Sequence, residues 1–169
     1  MAITVDQASL GTPGSSATSG ANISFTTSVA VAAGGYVVVG VNWYNASITV
    51  TSATVDGNAA TILVQGRNGS FNTALIGYYS AGGLASGKTV TATFSASPTV
   101  RTIGGMSFLD VDPTTPVSST TGPTNGTAAA WATASATLAA GGAMVAQAMK
   151  DGFSASSNTP AAGVTECFD

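Results

Sequence analysis

Short segments in which apolar and polar side chains alternate recur along most of this chain, and they constrain its fold more than any other feature. The clearest lies at residues 88–95, where Val90, Ala92 and Phe94 alternate with Thr and Ser. Successive side chains of a strand point to opposite faces, so this period of two predicts a strand with one buried face. Clusters of Gly, Pro, Asn and Ser separate the segments, as in an all-β sandwich or barrel.

Segments of this kind predict about ten strands and no helix. Residues 35–44 are apolar on both faces, which indicates a central strand covered on both sides. Residues 49–55 and 59–64 flank Asp56-Gly57-Asn58, whose Asp-Gly pair favours a tight hairpin turn. The other predicted strands are residues 3–9, 71–80, 88–95, 100–109, 128–140, 142–149 and 163–168, and residues 11–21 are predicted to be a loop.

The length of the chain predicts its domain organisation. A chain of 169 residues can bury a core of its own, so residues 1–169 are predicted to form a single β-sandwich domain. Residues 118–126 are polar and contain Gly and Pro, which favours a long surface loop. Residues 128–140 are rich in alanine, which favours helix, but their alternation and their threonines favour strand, and we predict strand there.

Charged and reactive side chains are scarce, which excludes several classes of function. Only 7 % of the residues are charged, where about a quarter is usual, and the net charge is -3 without a basic stripe. Nucleic acid and membrane are therefore not expected as partners. Histidine is absent and Cys167 is the single cysteine, which excludes Ser-His-Asp triads, Cys-His dyads and His- or Cys-rich zinc sites. We predict that the protein is not an enzyme and holds no cofactor.

The N-terminal residues and the composition bear on location. The first residues lack the basic and apolar regions of a secretory signal. No apolar run in the sequence is long enough to form a membrane span. An Ala- and Thr-rich β composition is nevertheless typical of exposed, extracellular surfaces. A virion protein made in the host cytoplasm accounts for both features, and the alternative location is extracellular, at a cell surface.

Four stretches resemble jelly-roll-like β-sandwich domains of phage virion proteins and of bacterial surface proteins. They are residues 28–43 (SVAVAAGGYVVVGVNW), 53–63 (ATVDGNAATIL), 73–96 (TALIGYYSAGGLASGKTVTATFSA) and 104–117 (GGMSFLDVDPTTPV). The resemblance implies an antiparallel jelly-roll-like β-sandwich with a display or adhesion role and without a shared active site. Such domains continue with further strands where this chain ends, which implies a C-terminus that is truncated or completed by a neighbouring chain.

Two carboxylates are candidate metal ligands. Asp110 and Asp112 would lie on one side of an extended segment, separated by two strand residues, or about 7 Å. Such a pair could serve a calcium ion or act as glycosidase-like carboxylates. The alternative is the end of a strand, capped by Asx turns before Pro113. No other acidic residue is near in sequence, so no metal site is predicted and the two residues are kept as candidates.

Four further residues are candidates for contacts with a ligand or a partner. In the pairs Trp43-Tyr44 and Tyr78-Tyr79 adjacent rings must point to opposite faces, and Tyr44 and Tyr79 are the candidates for exposure. Arg67 lies in a predicted turn, where it contacts a partner or is simply solvated. Cys167 is the candidate for a crosslink between subunits, and its alternative is a buried reduced cysteine.

These features predict a non-enzymatic structural protein of a bacteriophage virion, either a capsid decoration protein or a fibre-like appendage subunit. Its partners would be other virion proteins and copies of itself in a homo-oligomer, because weakly charged faces suit symmetric packing. The alternative is a carbohydrate-binding or adhesin module of a bacterial surface protein, whose partner would be a host-surface glycan.

Overall fold

The computed structural model describes residues 2–16, 18–45, 47–112 and 114–116. These residues contain nine antiparallel strands and no helix. The strands are β1 (Thr4–Gln7), β2 (Gly14–Ser16), β3 (Asn22–Thr26), β4 (Gly35–Tyr44), β5 (Val50–Val55), β6 (Asn58–Asn68), β7 (Phe71–Ser80), β8 (Thr89–Phe94) and β9 (Arg101–Leu109). The prediction of an all-β, antiparallel fold is confirmed. The loop predicted at 118–126, the strands predicted at 128–140, 142–149 and 163–168, and Cys167 lie outside the described residues.

The strands form one sheet that curls into a half-barrel. Their order is β1-β9-β4-β7-β6-β5-β8-β3, and β2 also pairs with β9. The long strand β6 joins the two halves of the sheet, because residues 58–60 pair with β5 whereas residues 61–68 pair with β7. A register shift between Ile62 and Val64 accompanies this change of partner, as expected where a bulge bends a strand.

Two residues link the opposite ends of the curled sheet. Leu10 donates its backbone N–H to Gly105 of β9 and accepts a hydrogen bond from Ser28, just after β3. The buried guanidinium of Arg101, also in β9, donates to the carbonyl oxygens of Thr18, Asn22 and Pro98. These bonds hold β3 near β9 and fix the curvature of the sheet.

The main hydrophobic core fills the concave side of the sheet. From β4 it receives Val37, Val39, Val41 and Trp43, and the Trp43 ring lies 5.4 Å from the Phe94 ring of β8. The other buried members are Leu10, Ile23, Phe25, Val31, Ile48, Val50, Ala53, Val55, Ala74, Ile76, Leu84, Val90, Ala92 and Ile103. The alternation at 88–95 therefore has the predicted consequence, because its apolar side chains face this core.

A second, smaller apolar cluster lies on the convex side of β4 and β9. We call it the convex cluster; its buried members are Tyr36, Val38, Met106, Phe108 and Val111, with Ile3 and Leu75 packed against it. Strand β4 is thus buried on both faces, as its sequence predicts.

The N-terminal region differs from the sequence-based prediction. Residues 11–21 are predicted to be a loop, but β2 lies among them, and β3 follows where no strand is predicted. Gly14 lets β2 enter a narrow space, since a Cβ there would be 2.4 Å from the Ser24 carbonyl oxygen and 2.9 Å from the Ile103 side chain. The Gly- and Ser-rich composition that indicates a loop here permits close backbone packing instead.

The hairpin predicted at residues 56–58 is confirmed. Both Asp56 and Gly57 have positive φ angles in the left-handed region. A two-residue turn between antiparallel strands requires this conformation at both positions. Asp56 also forms an ion pair with Lys88, with 3.0 Å between Oδ2 and Nζ. The turn therefore places Asn58 at the start of β6 opposite Val55 at the end of β5.

The burial of β4 predicts the effect of truncating its side chains. We expect Val39→Ala to lower the free energy of unfolding by about 2 kcal/mol, because two methyl groups are lost and a cavity remains. The control Val100→Ala removes the same atoms from a side chain that is 50 % exposed, and should change stability by less than about 0.5 kcal/mol. Urea denaturation measures both, and equal effects would contradict the assigned core.

Candidate functional site

An array of uncharged polar side chains covers the convex side of β3, β8 and β5. Cross-strand pairing puts Asn22 opposite Thr93, Ser24 opposite Thr91, and Thr26 opposite Thr89. Strand β5 extends the first two rows with Ser52 and Thr54. We call this array the hydroxyl face; its members are Asn22, Ser24, Thr26, Ser52, Thr54, Thr89, Thr91 and Thr93.

The hydroxyl face follows directly from the period of two in these strands. The intervening residues, such as Phe25, Ala53 and Val90, are buried in the main core, so the polar residues must point outwards. Threonine is β-branched and packs well on a pleated surface, which favours a flat array rather than a mobile brush of long side chains. The chemistry of the face is therefore limited to hydroxyl, amide and methyl groups.

The electrostatics of the hydroxyl face are neutral. No ionisable side chain belongs to it, and Lys88 and Asp56 at its border compensate each other in their ion pair. Covering uncharged hydroxyls costs less than covering unpaired charges, because hydroxyls can exchange hydrogen bonds with water for hydrogen bonds with a partner. The face can thus pack against another protein surface, and it offers no nucleophile activated by a base.

A cleft of about 370 Å³ opens at one end of the half-barrel, on the concave side. We call it the end cleft; it is lined by Trp43, Ser47, Ile48, Thr49, Gln65, Gly66, Arg67 and Asn72. One guanidinium and no carboxylate is present among these lining residues.

Side-chain hydrogen bonds hold the walls of the end cleft. The indole Nε1 of Trp43 donates to the Ile48 carbonyl oxygen at 2.8 Å. The Asn72 amide nitrogen donates to the carbonyl oxygens of Asn45 and Ser70, at 2.9 and 3.1 Å. These bonds fix the loop after β4 and the turn before β7.

Gln65 completes the wall of the end cleft where β5 and β6 diverge. Its amide oxygen accepts from the Val50 N–H at 3.1 Å and its amide nitrogen donates to the Val50 carbonyl oxygen at 3.3 Å. The Gln65 amide thereby bonds the backbone groups of Val50 that a neighbouring strand would otherwise pair with. Sequence reasoning missed both Gln65 and Asn72; the only signal was that each is a polar residue next to an apolar alternation.

The structure does not bring the predicted contact residues Tyr44, Arg67 and Tyr79 together. Tyr44 is 42 % exposed and packs edge-on against Phe71, with 5.2 Å between ring centroids. Tyr79 is 36 % exposed at the other end of the neighbouring strand, opposite Tyr36. Both tyrosines lie on the convex side, whereas Arg67 pairs with Asn72 and lies on the concave side. Their roles in binding stay predictions.

The carboxylates of Asp110 and Asp112 are in a turn rather than on an extended strand. Asp110 follows the end of β9 with a φ of 60°. The Asp112 carboxylate accepts hydrogen bonds from the Thr114 N–H at 2.8 Å and from the Thr115 hydroxyl at 2.9 Å. This is the geometry of the Asx-turn alternative. Across residues 2–116, as far as they are described, no group of three metal-ligating side chains is found.

The comparisons with known proteins do not assign this chain to a family. A scan against protein-family models, a search of curated proteins and a search of solved structures each return no match. The residues and their geometry are therefore the basis for a functional proposal. Among the described residues no helix is long and apolar enough to cross a membrane.

The turn at Asp112 predicts a measurable pKa. Hydrogen bonds from the Thr114 N–H and then from the Thr115 hydroxyl lower the pKa of this carboxyl from its ordinary value of 3.8, because they stabilise the charged form. The stabilisation of the turn is present above pH 3.8 and is lost as the pH falls through the lower pKa. We expect Thr115→Val to raise the pKa in an NMR titration of the carboxyl carbon.

The matched control for this titration is Thr91→Val, which removes a hydroxyl from β8 without touching the turn. It should leave the pKa of Asp112 unchanged. A wild-type Asp112 that titrates at or above 3.8 would contradict the assigned hydrogen bonds.

Proposed function

We propose that this chain is a non-enzymatic structural subunit of a bacteriophage virion, either a capsid decoration protein or a subunit of a fibre-like appendage. The observation that carries the proposal is the hydroxyl face, an uncharged array on the outside of β3, β8 and β5. The corresponding location is the virion, after synthesis in the host cytoplasm. Its partners are other virion proteins and further copies of the chain.

The size of the hydroxyl face determines the kind of assembly it supports. Three strands and five residues span about 15 Å by about 17 Å, or roughly 250 Å². A stable pairwise interface buries roughly 800 Å² on each partner, so this face alone is too small for a tight dimer. It suits an assembly in which each copy makes several contacts, because linked weak contacts add up in a closed symmetric array.

The strand order supports a jelly-roll arrangement for this subunit. The path of the sheet divides at β6 into β1-β9-β4-β7 and β6-β5-β8-β3, two groups of four strands. The consecutive strands β3, β4 and β5 alternate between the groups, and so do β7, β8 and β9. Jelly rolls are built from two groups of four strands, and they are common in viral capsid proteins and in lectins. The four sequence stretches between residues 28 and 117 also resemble jelly-roll-like domains.

The alternative function is a carbohydrate-binding or adhesin module of a bacterial surface protein. The end cleft favours it, because the side chains of Ser47, Thr49 and Arg67 line it and its volume is within the usual range for small-ligand sites. A host-surface glycan that bears a carboxylate would match Arg67. The aromatic ring on that wall, Trp43, is buried in the core, so stacking on a sugar would be weak.

Placing a charge in the centre of the hydroxyl face tests the proposed assembly. We expect wild-type protein to form oligomers whose mass rises with concentration, and Thr91→Lys to shift them to monomers, because the interface would then bury an unpaired cation. Light scattering of the full-length protein measures the mass. The control Thr102→Lys adds the same charge to an exposed position of β9, outside the face, and should assemble normally.

Two results would overturn this proposal. One is a monomer at every concentration; the other is equal assembly of both lysine variants. Binding to a glycan array that is lost in Arg67→Gln but kept in Lys88→Gln would then favour the alternative function, because the second variant removes a cation from outside the end cleft.

A further inference from the structure

The charged side chains of the described residues are segregated between the two ends of the strands. Strand β4 runs from Gly35 to Tyr44, and both of its neighbours are antiparallel to it, so the sheet has one end at each of these residues. The end at Gly35, which we call the acidic end, holds all four carboxylates of the described residues: Asp6, Asp56, Asp110 and Asp112. The end at Tyr44, which we call the basic end, holds both described arginines: Arg67 and Arg101.

The strand bounds place each carboxylate at the acidic end. Asp110 and Asp112 follow the last residue of β9, and Asp56 follows the last residue of β5. Asp6 lies in β1, beside the last residues of β9. Lys88, just before β8, is the one cation of the described residues at this end, and it pairs with Asp56. Four carboxylates and one ammonium give the acidic end a formal charge of -3.

The two arginines of the basic end lie on one row across four strands. Arg67 of β6 pairs with Asn72 of β7, and Arg101 of β9 pairs with Trp43 of β4. Asn72 and Trp43 pair with each other, so three strand spacings, or about 14 Å, separate the arginines. Arg101 is buried against carbonyl oxygens, whereas Arg67 is exposed and lines the end cleft.

The charges at the two ends do not neutralise each other within one chain. The ten residues of β4 span about 33 Å, whereas the Debye length is about 8 Å at physiological ionic strength. A guanidinium also keeps its positive charge whatever hydrogen bonds it makes. Each end therefore presents its own sign of charge to a molecule that approaches it.

We propose that copies of this chain stack head to tail, with the acidic end of one copy docked on the end cleft at the basic end of the next. Unlike ends attract and like ends repel, so the charges select this orientation. Because an exposed ion pair contributes no more than about 1 kcal/mol, the charges set the direction and the rate of association more than its strength.

Stacking of this kind determines the form of the assembly. A head-to-tail contact joins two different surfaces, so repeating it generates a ring or an open filament. Of the two virion roles proposed above, this form fits the fibre-like appendage subunit. The inference rests on the proposed function, because it requires that copies of the chain assemble. The hydroxyl face lies along the sides of β3, β8 and β5 and stays available for contacts between neighbouring stacks.

Crosslinking between single-cysteine chains tests the orientation. In a Cys167→Ser background, Thr4→Cys puts a thiol at an exposed position of the acidic end, and Ser47→Cys puts one at an exposed position of the end cleft. Each chain then has one thiol, so a bismaleimide can only join two copies. Equal amounts of ¹⁵N-labelled Thr4→Cys and unlabelled Ser47→Cys protein are mixed, and mass spectrometry counts the pairs. We expect mixed pairs to outnumber each kind of like pair by about tenfold.

Two variants of Arg67 connect this contact with charge. Arg67→Glu in the Ser47→Cys chain reverses the charge at the end cleft and should lower the yield of mixed pairs by roughly five- to tenfold, because attraction becomes repulsion. The matched control Arg67→Lys keeps the charge and should keep the mixed pairs. Raising the ionic strength from about 0.01 M to about 1 M shortens the Debye length from about 30 Å to about 3 Å, and should also lower the yield.

Light scattering of the same mixtures separates this inference from the proposed function. Oligomers that give like pairs as often as mixed pairs, or no crosslink at these positions, would overturn head-to-tail stacking and leave assembly through the hydroxyl face standing. An unchanged yield of mixed pairs with Arg67→Glu would overturn it as well. A monomer at every concentration would overturn both proposals.

Discussion

Strand β4 is hydrogen-bonded along both edges and buried on both faces, and the rest of the structure depends on that position. Its partners β7 and β9 run beside it over most of their length, so backbone pairing is satisfied without water. On the concave side its valines meet side chains from β8 and β5, and full burial of each contributes about 1.5–3 kcal/mol relative to exposure. On the convex side Tyr36 and Val38 are buried in the convex cluster. The two faces of one strand therefore determine where the layers of the protein lie.

The curvature of the sheet encloses the main core on its concave side and leaves the hydroxyl face on its convex side. Leu10 and Arg101 tie β9 to the residues around β3, which encloses the main core. The buried guanidinium is satisfied by carbonyl oxygens, so its charge is spread over several dipoles. With the core enclosed, the outward residues of β3, β8 and β5 lie on the surface of the described part of the chain. Threonine and serine are compatible with solvent and leave a surface that another molecule can use.

Much of this fold could be predicted from local sequence patterns. Apolar runs predict β4, β7 and β9, alternation predicts β8, and Asp56-Gly57 predicts the hairpin, because these signals arise from neighbouring residues. The pattern Ile23-Ser24-Phe25 carried the same signal for β3, but it is short and lies within a Gly- and Ser-rich region. Exposure of Tyr44 and Tyr79 followed from the burial of their neighbours. The strands predicted after residue 117 lie outside the described residues and stay predictions.

Long-range features could not be predicted in this way. The role of Gln65 depends on β5 and β6 diverging, and the burial of Arg101 depends on closure of the sheet, so neither has a local signature. The side on which Arg67 lies depends on the register shift in β6, since one extra residue moves every later side chain to the other face. Predicting the hydroxyl face would have required the register between three strands that are distant in sequence.

In the proposed assembly, copies of the chain meet through the hydroxyl face. Pulsed electron paramagnetic resonance on protein with one spin label per chain tests this contact most directly, because every measured distance is then between two copies. In a Cys167→Ser background, a label at Ser52→Cys should give a narrow distance distribution at concentrations where oligomers form. A featureless distribution from Ser52→Cys, together with a narrow one from Thr102→Cys on the other half of the sheet, would contradict the claim.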